Sequence, residues 1–287
     1  MKERYWLYCV AQFFASNCPR SLAYTIASLL SILRYCFAKV DREIVRYNLL
    51  PIVKDERKVK VYTKEIIRNF SYYLVDFFRL QRIDGHFVKK FIKIEGLDYL
   101  NEVVFAKKGA IILTAHLGNY ELGGALIAYL GYDLGFDIYG VALPHKDKRI
   151  DEFFNRKRLL YNLKVIPTGV VVKKCIQILK EGHMVAFLGD RDFTSAKGER
   201  VHICGKEAML PKGPAYFSTK TGAPILPAFF VREKKYFYRL IIEPTIYPNL
   251  PDREKTMEEV IVEYSKVLEK YIKLYPDQWY MFAKYWL

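Results

Sequence analysis

Cysteine is scarce in this chain, and what there is does not pair. Five residues, Cys9, Cys18, Cys36, Cys175 and Cys204, stand in 287 positions with no C-x2-C spacing. That excludes a disulfide framework and the common zinc patterns, and leaves reduced cysteine acting as a small hydrophobe. No low-complexity run, heptad array or repeat of roughly 20–50 residues occurs, so solenoids and coiled coils are excluded. No G-x-S-x-G stands at a strand end, which argues against a serine hydrolase. Zinc, RNP-like and helix-turn-helix signatures of nucleic-acid readers are missing as well. Also absent is a clean apolar run of the ~20 residues a spanning helix needs. Tyr5 to Leu33 carries a single charge, Arg20, but breaks at Cys18-Pro19-Arg20 into two shorter halves.

Acidic residues are the other shortage. Lys and Arg number 46 against 31 Asp and Glu, a formal charge of +15. The first 93 residues hold 18 Lys/Arg and only 8 Asp/Glu, whereas residues 250–287 are close to neutral. Such an excess calls for an anionic partner: nucleic acid, an anionic bilayer surface or a phosphorylated substrate. Aromatic residues reach 16%, which suits base stacking or a membrane interface. The uncharged, aromatic amino terminus decides for the membrane and against nucleic acid. A cleaved signal peptide fits poorly, since no small-x-small site follows the apolar run. The favoured reading is two short helices lying in the interface, anchored by Tyr5, Trp6, Tyr8, Phe13, Phe14 and Tyr24. A single span and ordinary core helices are the alternatives. On this reading residues 1–38 are an anchor whose removal leaves the chemistry intact. The basic residues that follow, from Lys39 to Arg68, would face anionic headgroups or form a solvated helix face.

From residue 94 the pattern changes to short apolar runs alternating with amphipathic segments. Strands are expected at 110–114, 137–143, 164–167, 184–188, 225–231 and 238–246. Helices are expected at 122–130, 146–161, 170–180, 214–221 and 257–274. Strands alternating with helices of 10–15 residues define an α/β fold with a mostly parallel sheet covered by helices. The chain thus divides into an N-terminal helical, membrane-associated region, 1–93, and an α/β core, 94–287.

The most informative stretch is Leu113-Thr114-Ala115-His116-Leu117-Gly118-Asn119-Tyr120-Glu121. On one continuous helix five steps separate two side chains by about 140°, so His116 and Glu121 meet only if the histidine sits in a turn before the helix. Gly118 and Asn119 supply that turn and its cap. His116 would then stand at the carboxyl end of a buried strand, where open α/β sheets place their sites. With one ring nitrogen held by Glu121, the other takes a proton from a hydroxyl: base and orienter, the nucleophile coming from a substrate. His202 and Glu207 share the spacing but lack the strand before and the helix after. A second constellation, Gly189-Asp190-Arg191-Asp192-Phe193, ends another expected strand. There Arg191 could hold an anion, one of the carboxylates orienting Arg191 or the histidine turn; no third ligand marks a metal site. The basic helix 149–162 offers Arg156 and Arg158 as a phosphate clamp.

These residues carry a resemblance. His116-Leu-Gly-Asn-Tyr-Glu121 resembles the H-x4-[D/E] signature of the lysophospholipid acyltransferase superfamily. The order of motifs across the chain is similar to its bacterial lipid A biosynthesis branch, the late lauroyl/myristoyl acyltransferases, and to the related phosphatidylinositol mannoside acyltransferases. Further matches are Asp190-x-Asp192, Leu210-Pro-Lys-Gly213-Pro-Ala215, Thr221-Gly-Ala-Pro-Ile-Leu-Pro227 and the Trp-rich end Pro276-Asp-Gln-Trp279…Trp286. The resemblance implies an O-acyltransferase with His116 and Glu121 catalytic. It implies Asn119, Arg158, Asp190, Arg191, Asp192 and Gly213 at the substrate, with no metal and no cofactor. Its donor would be acyl carrier protein or acyl-CoA. Its acceptor would be a glycolipid such as a lipid A precursor, reached at the cytoplasmic face of the inner membrane. Where some relatives carry G-x-E-V this chain reads Gly198-Glu199-Arg200-Val201, so a carboxylate from that loop is replaced by Arg200. Backbone N–H groups around Gly118-Asn119, or Arg158, are the expected oxyanion donors. A lysophospholipid or phosphatidylinositol-mannoside-type acceptor is the alternative substrate, and a basic nucleic-acid-binding protein the non-enzyme one.

Overall fold

The structure is a computed structural model that describes residues 5–166, 170–192 and 198–287. Pro167, the expected end of a strand, and Phe193 lie outside the described residues.

Four helices open the chain: α1 (Tyr5–Asn17), α2 (Arg20–Phe37), α3 (Lys39–Val53) and α4 (Glu56–Phe78). The break between α1 and α2 falls at Cys18-Pro19, where proline removes an N–H donor and sets the start of the next helix. Asp55 caps α4 by accepting from the N–H groups of Arg57 and Lys58. None of the described helices is long and apolar enough to cross a membrane alone; α2 and α3 pass that test only as a pair bent by 90°.

After α5 (Gly85–Phe91) come β1 (Ile92–Glu95), α6 (Leu97–Ala106), β2 (Ala110–Thr114), α7 (Tyr120–Leu134), β3 (Ile138–Val141), α8 (Lys148–Leu159), β4 (Leu163–Ile166), α9 (Val171–Lys180) and β5 (Met184–Leu188). A hairpin of β6 (Glu199–Ile203) and β7 (Lys206–Leu210) follows. Then come α10 (Gly213–Thr221), β8 (Ile225–Lys234), β9 (Phe237–Ile242) and α11 (Met257–Leu274). Among the described residues seven strands form one sheet, in the order β1-β9-β8-β2-β5-β3-β4. Every neighbouring pair is parallel except β8 and β9, which run antiparallel. Strand β2 lies in the middle because its run of apolar residues can be buried on both faces. Ile111 and Leu113 point to a core shared with α9, α10 and α11, and Ala110 and Ile112 to one shared with α7.

That second core also holds Ala15, Ala23, Tyr24, Ala27, Tyr72 and Phe77 from α1, α2 and α4. The N-terminal helices therefore pack on the sheet with one face. Their other face is apolar and exposed: Trp6, Phe13, Leu29, Leu30, Leu33 and Phe37 all lie open, Phe37 at 84%.

Candidate active site

The carboxyl ends of β2 and β5 lie side by side, with Thr114 opposite Leu188. His116 leaves β2 and Asp190 leaves β5, so the parallel register alone brings them together. The His116 Nδ1 and Asp190 Oδ1 are 2.8 Å apart, and the His116 backbone N–H donates to Asp190 Oδ2 at 3.0 Å. Trp279 Nε1–H adds a third bond to Oδ2 at 2.9 Å. Asp190 is fully buried. Burial alone would raise its carboxyl, but its electrostatic interaction with the His116 imidazole, the bonds from the His116 ring and backbone and the Trp279 indole hold it below the usual carboxylate range. With Nδ1 committed to Asp190, proton transfer at the ring falls to Nε2.

The turn after His116 is clamped from two sides. Gly118 N–H donates to Gln278 O at 2.9 Å, Asn119 N–H to Phe230 O at 2.7 Å, and Tyr280 N–H to His116 O at 2.7 Å. Gly118 has φ of +65°, and a Cβ there would come within 2.1 Å of Phe230 O, so only glycine fits. Asn119 caps α7 through Leu122 N–H, while its own amide donates to Asp76 Oδ2 at 3.2 Å. Both backbone donors expected to hold an oxyanion, at Gly118 and Asn119, are thus bonded to carbonyl groups; the turn needs them to keep its shape.

Glu121 lies in the first turn of α7, as its spacing implies, but it faces a different partner. Arg158 on α8 grips it with two bonds, Nε to Oε2 at 3.0 Å and Nη2 to Oε1, and a third N–H reaches Asn155 Oδ1 at 3.2 Å. The carboxylate on the imidazole is therefore Asp190, and the expected pairing of Glu121 with His116 gives way to a bidentate ion pair. The reason is physical: Arg158 is largely buried and needs an anion, and a fork-to-fork carboxylate is its best match. Burial works against its charge, but Glu121 more than compensates and pushes the guanidinium up. Arg158 thus reaches Glu121 in this structure rather than standing open for phosphate.

Glu121 and Arg158 line a cavity of about 100 Å³ between α7 and the sheet. Its other walls are mostly apolar, among them Ile112, Gly124, Ile127, Ile138 and Leu240. Tyr120 lies at the same cavity, packs edge-on to the His116 ring at 5.6 Å, and accepts a 3.1 Å bond from the Tyr73 hydroxyl. Burial holds both phenols protonated well above neutral pH.

The remaining candidates scatter. Arg191 and Asp192 follow Asp190 in the loop after β5, half-buried. Gly213 begins α10, where a Cβ would lie 3.6 Å from the Phe187 ring. Arg200 pairs across the hairpin with Glu207 at 2.9 Å, and Glu199 meets Lys212 at 3.0 Å. His202 faces Glu207 in the same hairpin at 3.9 Å and is exposed, well suited to solvent and poorly to catalysis.

Spacing could not reveal two groups of residues. The segment Gln278-Trp279-Tyr280 meets the histidine turn over a separation of more than 150 residues; its tryptophan was visible, its destination was not. Asp76 sits on α4 among Tyr72, Tyr73, Val75, Phe77 and Phe78, and an acid in so apolar a face is itself a signal of burial with partners. It accepts from Arg232 Nη2 at 2.7 Å and from the Tyr24 and Tyr238 hydroxyls, and Arg20 Nη2 lies 3.4 Å away. Through Asp76 the first residue of α2, Arg20, is tied to Asn119 at the head of α7. Residues 1–38 therefore touch the support of the site helix as well as presenting an open apolar face.

The α/β sheet thus presents a histidine and a buried acid at adjacent strand ends, beside a largely apolar cavity. By comparison with known proteins, the chain belongs to the bacterial lipid A biosynthesis acyltransferase family, whose model matches residues 1–287. It is 23% identical over 229 residues to the phosphatidylinositol mannoside acyltransferase of Mycobacterium tuberculosis, covering 77% of this chain and 69% of the relative. To the lipid A biosynthesis palmitoleoyltransferase of Escherichia coli it is 26% identical over 197 residues, covering 67% of this chain and 60% of that protein. The phosphatidylinositol mannoside acyltransferase of Mycolicibacterium smegmatis is 22% identical over 225 residues, 77% of this chain and 71% of the relative. Membership makes the protein an acyltransferase.

Proposed function

We propose that the protein moves a fatty acyl group from a thioester, on acyl carrier protein or coenzyme A, to a hydroxyl of a glycolipid such as a lipid A precursor. The observation that carries this reading is the His116–Asp190 pair, at 2.8 Å, next to an apolar cavity that suits a hydrocarbon chain. A thioester has a good leaving group, so the acceptor hydroxyl is what needs activation. His116 Nε2 takes the hydroxyl proton as the oxygen bonds to the thioester carbonyl, and Asp190 stabilises the imidazolium that forms. The tetrahedral intermediate collapses by breaking the C–S bond, and the imidazolium returns its proton to the departing thiolate. Arg158 is the proposed oxyanion donor, since three of its five N–H groups serve Glu121 and Asn155. Asn119, Arg191, Asp192 and Gly213 stay proposed substrate contacts on the strength of the resemblance. The reading needs no metal or cofactor.

The exposed apolar face of α1 and α2, next to a basic segment, supports attachment to an anionic bilayer. We place it at the cytoplasmic face of the inner membrane, where thioester donors are available. A mannose-bearing acceptor is the second reading, because two of the relatives are named for phosphatidylinositol mannoside. The test is a transfer assay with purified protein in detergent, acyl carrier protein and coenzyme A thioesters, and both acceptor classes, read by mass spectrometry. Acylated glycolipid with wild type and none with His116→Ala is expected; product unchanged in that variant would refute the reading.

A further inference from the structure

A second concavity lies away from His116, between α1 and α8. It has a volume of about 610 Å³ and is lined by Gln12, Ser16 and Asn17 from one side and by Arg156 and Lys157 from the other, with Gln81 between. Among the described residues two cations line it and no carboxylate does. Lys157 is the unusual one. It is buried, only 6% exposed, and its Nζ donates to Phe78 O at 3.1 Å and Gln81 Oε1 at 2.6 Å. Neither acceptor is charged, a third N–H remains, and among the described residues no carboxylate forms an ion pair with it. Burial pushes its ammonium down to about 8, which measures how poorly the charge is compensated. Arg82 adds positive potential by donating to Ser16 O at 3.2 Å. The rim is hydrocarbon: Phe13 is 63% and Leu160 53% exposed.

We propose that this groove binds a phosphate-bearing lipid, the phosphate on Lys157 and Arg156 and the acyl chains along Phe13 and the open face of α1. A water-soluble phosphate would satisfy the cations but leave the apolar rim wet, whereas an amphiphile covers both. The proposal rests on the reading that α1 meets a bilayer and is independent of chemistry at His116. The lipid is either the acyl acceptor or a membrane lipid, since both carry the same headgroup phosphate.

The test is calorimetric titration of the full chain with dihexanoyl phosphatidic acid below its micelle concentration. Lys157→Met, which keeps the shape of the side chain, should weaken binding by roughly 10–100-fold, the range for a hydrogen bond to a charged group. Arg156→Gln, at an exposed position that does not threaten folding, should weaken it by about tenfold on the same scale. A double variant of exposed lysines outside the groove, Lys173→Gln with Lys234→Gln, should bind within twofold of wild type, as should His116→Ala. Dihexanoylglycerol, which lacks the phosphate, should not bind. Raised acceptor KM in the presence of the short lipid would identify the acceptor as the occupant, and unchanged KM a membrane lipid; either agrees with the site. Equal weakening by the Lys173/Lys234 control would reduce the groove to diffuse charge and overturn the proposal. So would dihexanoylglycerol binding as tightly, or inorganic phosphate or coenzyme A binding as tightly with the same dependence on Lys157.

Discussion

The N-terminal helices and the central sheet treat hydrocarbon in opposite ways. Strand β2 buries its apolar residues on both faces. Helix α2 buries only Ala23, Tyr24, Ala27 and Ser31 and leaves Leu22, Ile26, Leu29, Leu30 and Leu33 outside. In a water-soluble protein that outer face would be a liability; on the proposed reading it is the surface that meets a bilayer. Yet the two regions are not independent. The inner side of α2 begins with Arg20 and Tyr24, which reach Asp76, and Asp76 holds Asn119 at the head of the site helix. The lesson is that one set of helices can present an open apolar face and also support the turn that carries His116.

The comparison can be broken first at the sheet end. His116→Ala should lower acyl transfer by ~100–10,000-fold, the usual worth of a general base, while vesicle binding stays at the wild-type level. A parallel loss of vesicle binding would show that the variant had unfolded rather than lost its base. Next comes the Glu121–Arg158 pair, with both side chains no more than 15% exposed. Removing one partner, as in Arg158→Met, should cost ~3–5 kcal/mol in denaturant unfolding, because a buried charge is left alone. The joint Glu121→Leu, Arg158→Met change should recover most of that stability. Recovery of transfer as well would remove Arg158 from the chemistry.

The link between the regions gives the next effect. Deleting residues 1–38 removes Arg20 and Tyr24 from Asp76 and should lower transfer even to a detergent-dispersed acceptor, in contrast to the anchor-only expectation. Full activity of a truncated, folded protein would show that Asp76 and Arg232 hold Asn119 without α2. Leu29→Ser with Leu33→Ser changes only the open face, and should cut vesicle binding with no change of kcat on the dispersed acceptor. The smallest effect lies in the cavity. A side chain at Gly124 would touch Leu163 Cδ2 at 3.4 Å without severe overlap, so Gly124→Val should fold and shift donor preference to shorter acyl chains. An unchanged product chain distribution, read by mass spectrometry, would mean that the chain lies elsewhere.

Much of this arrangement can be read from sequence, and what cannot has identifiable causes. The strands β2 and β5 and the cap of α7 stand out because continuous apolar runs end in Gly118-Asn119 and Gly189-Asp190. Strand β1 escapes because four residues between two helices carry no period of their own. The hairpin of β6 and β7 escapes because its turn, Cys204-Gly205, has φ of +54° and +74° without the Asn-Gly signal that normally marks such a turn. For the site, local spacing singles out His116 and places Glu121 near it, but the acid bonded to its ring is 74 residues away and arrives only through parallel pairing of β2 with β5. Short-range pattern names the proposed base; sheet topology names its partner.

That difference between two carboxylates is the most direct test. In the purified enzyme, kcat for acyl transfer should fall by ~100–10,000-fold in Asp190→Asn, as expected when a general base loses the group that orients it. Glu121→Gln should fall less, because it weakens the hold on Arg158 and leaves the imidazole bonded. Circular dichroism of both variants should match wild type. An Asp190→Asn enzyme within tenfold of wild type, beside a Glu121→Gln enzyme that is inactive, would contradict the account and return the orienting role to Glu121.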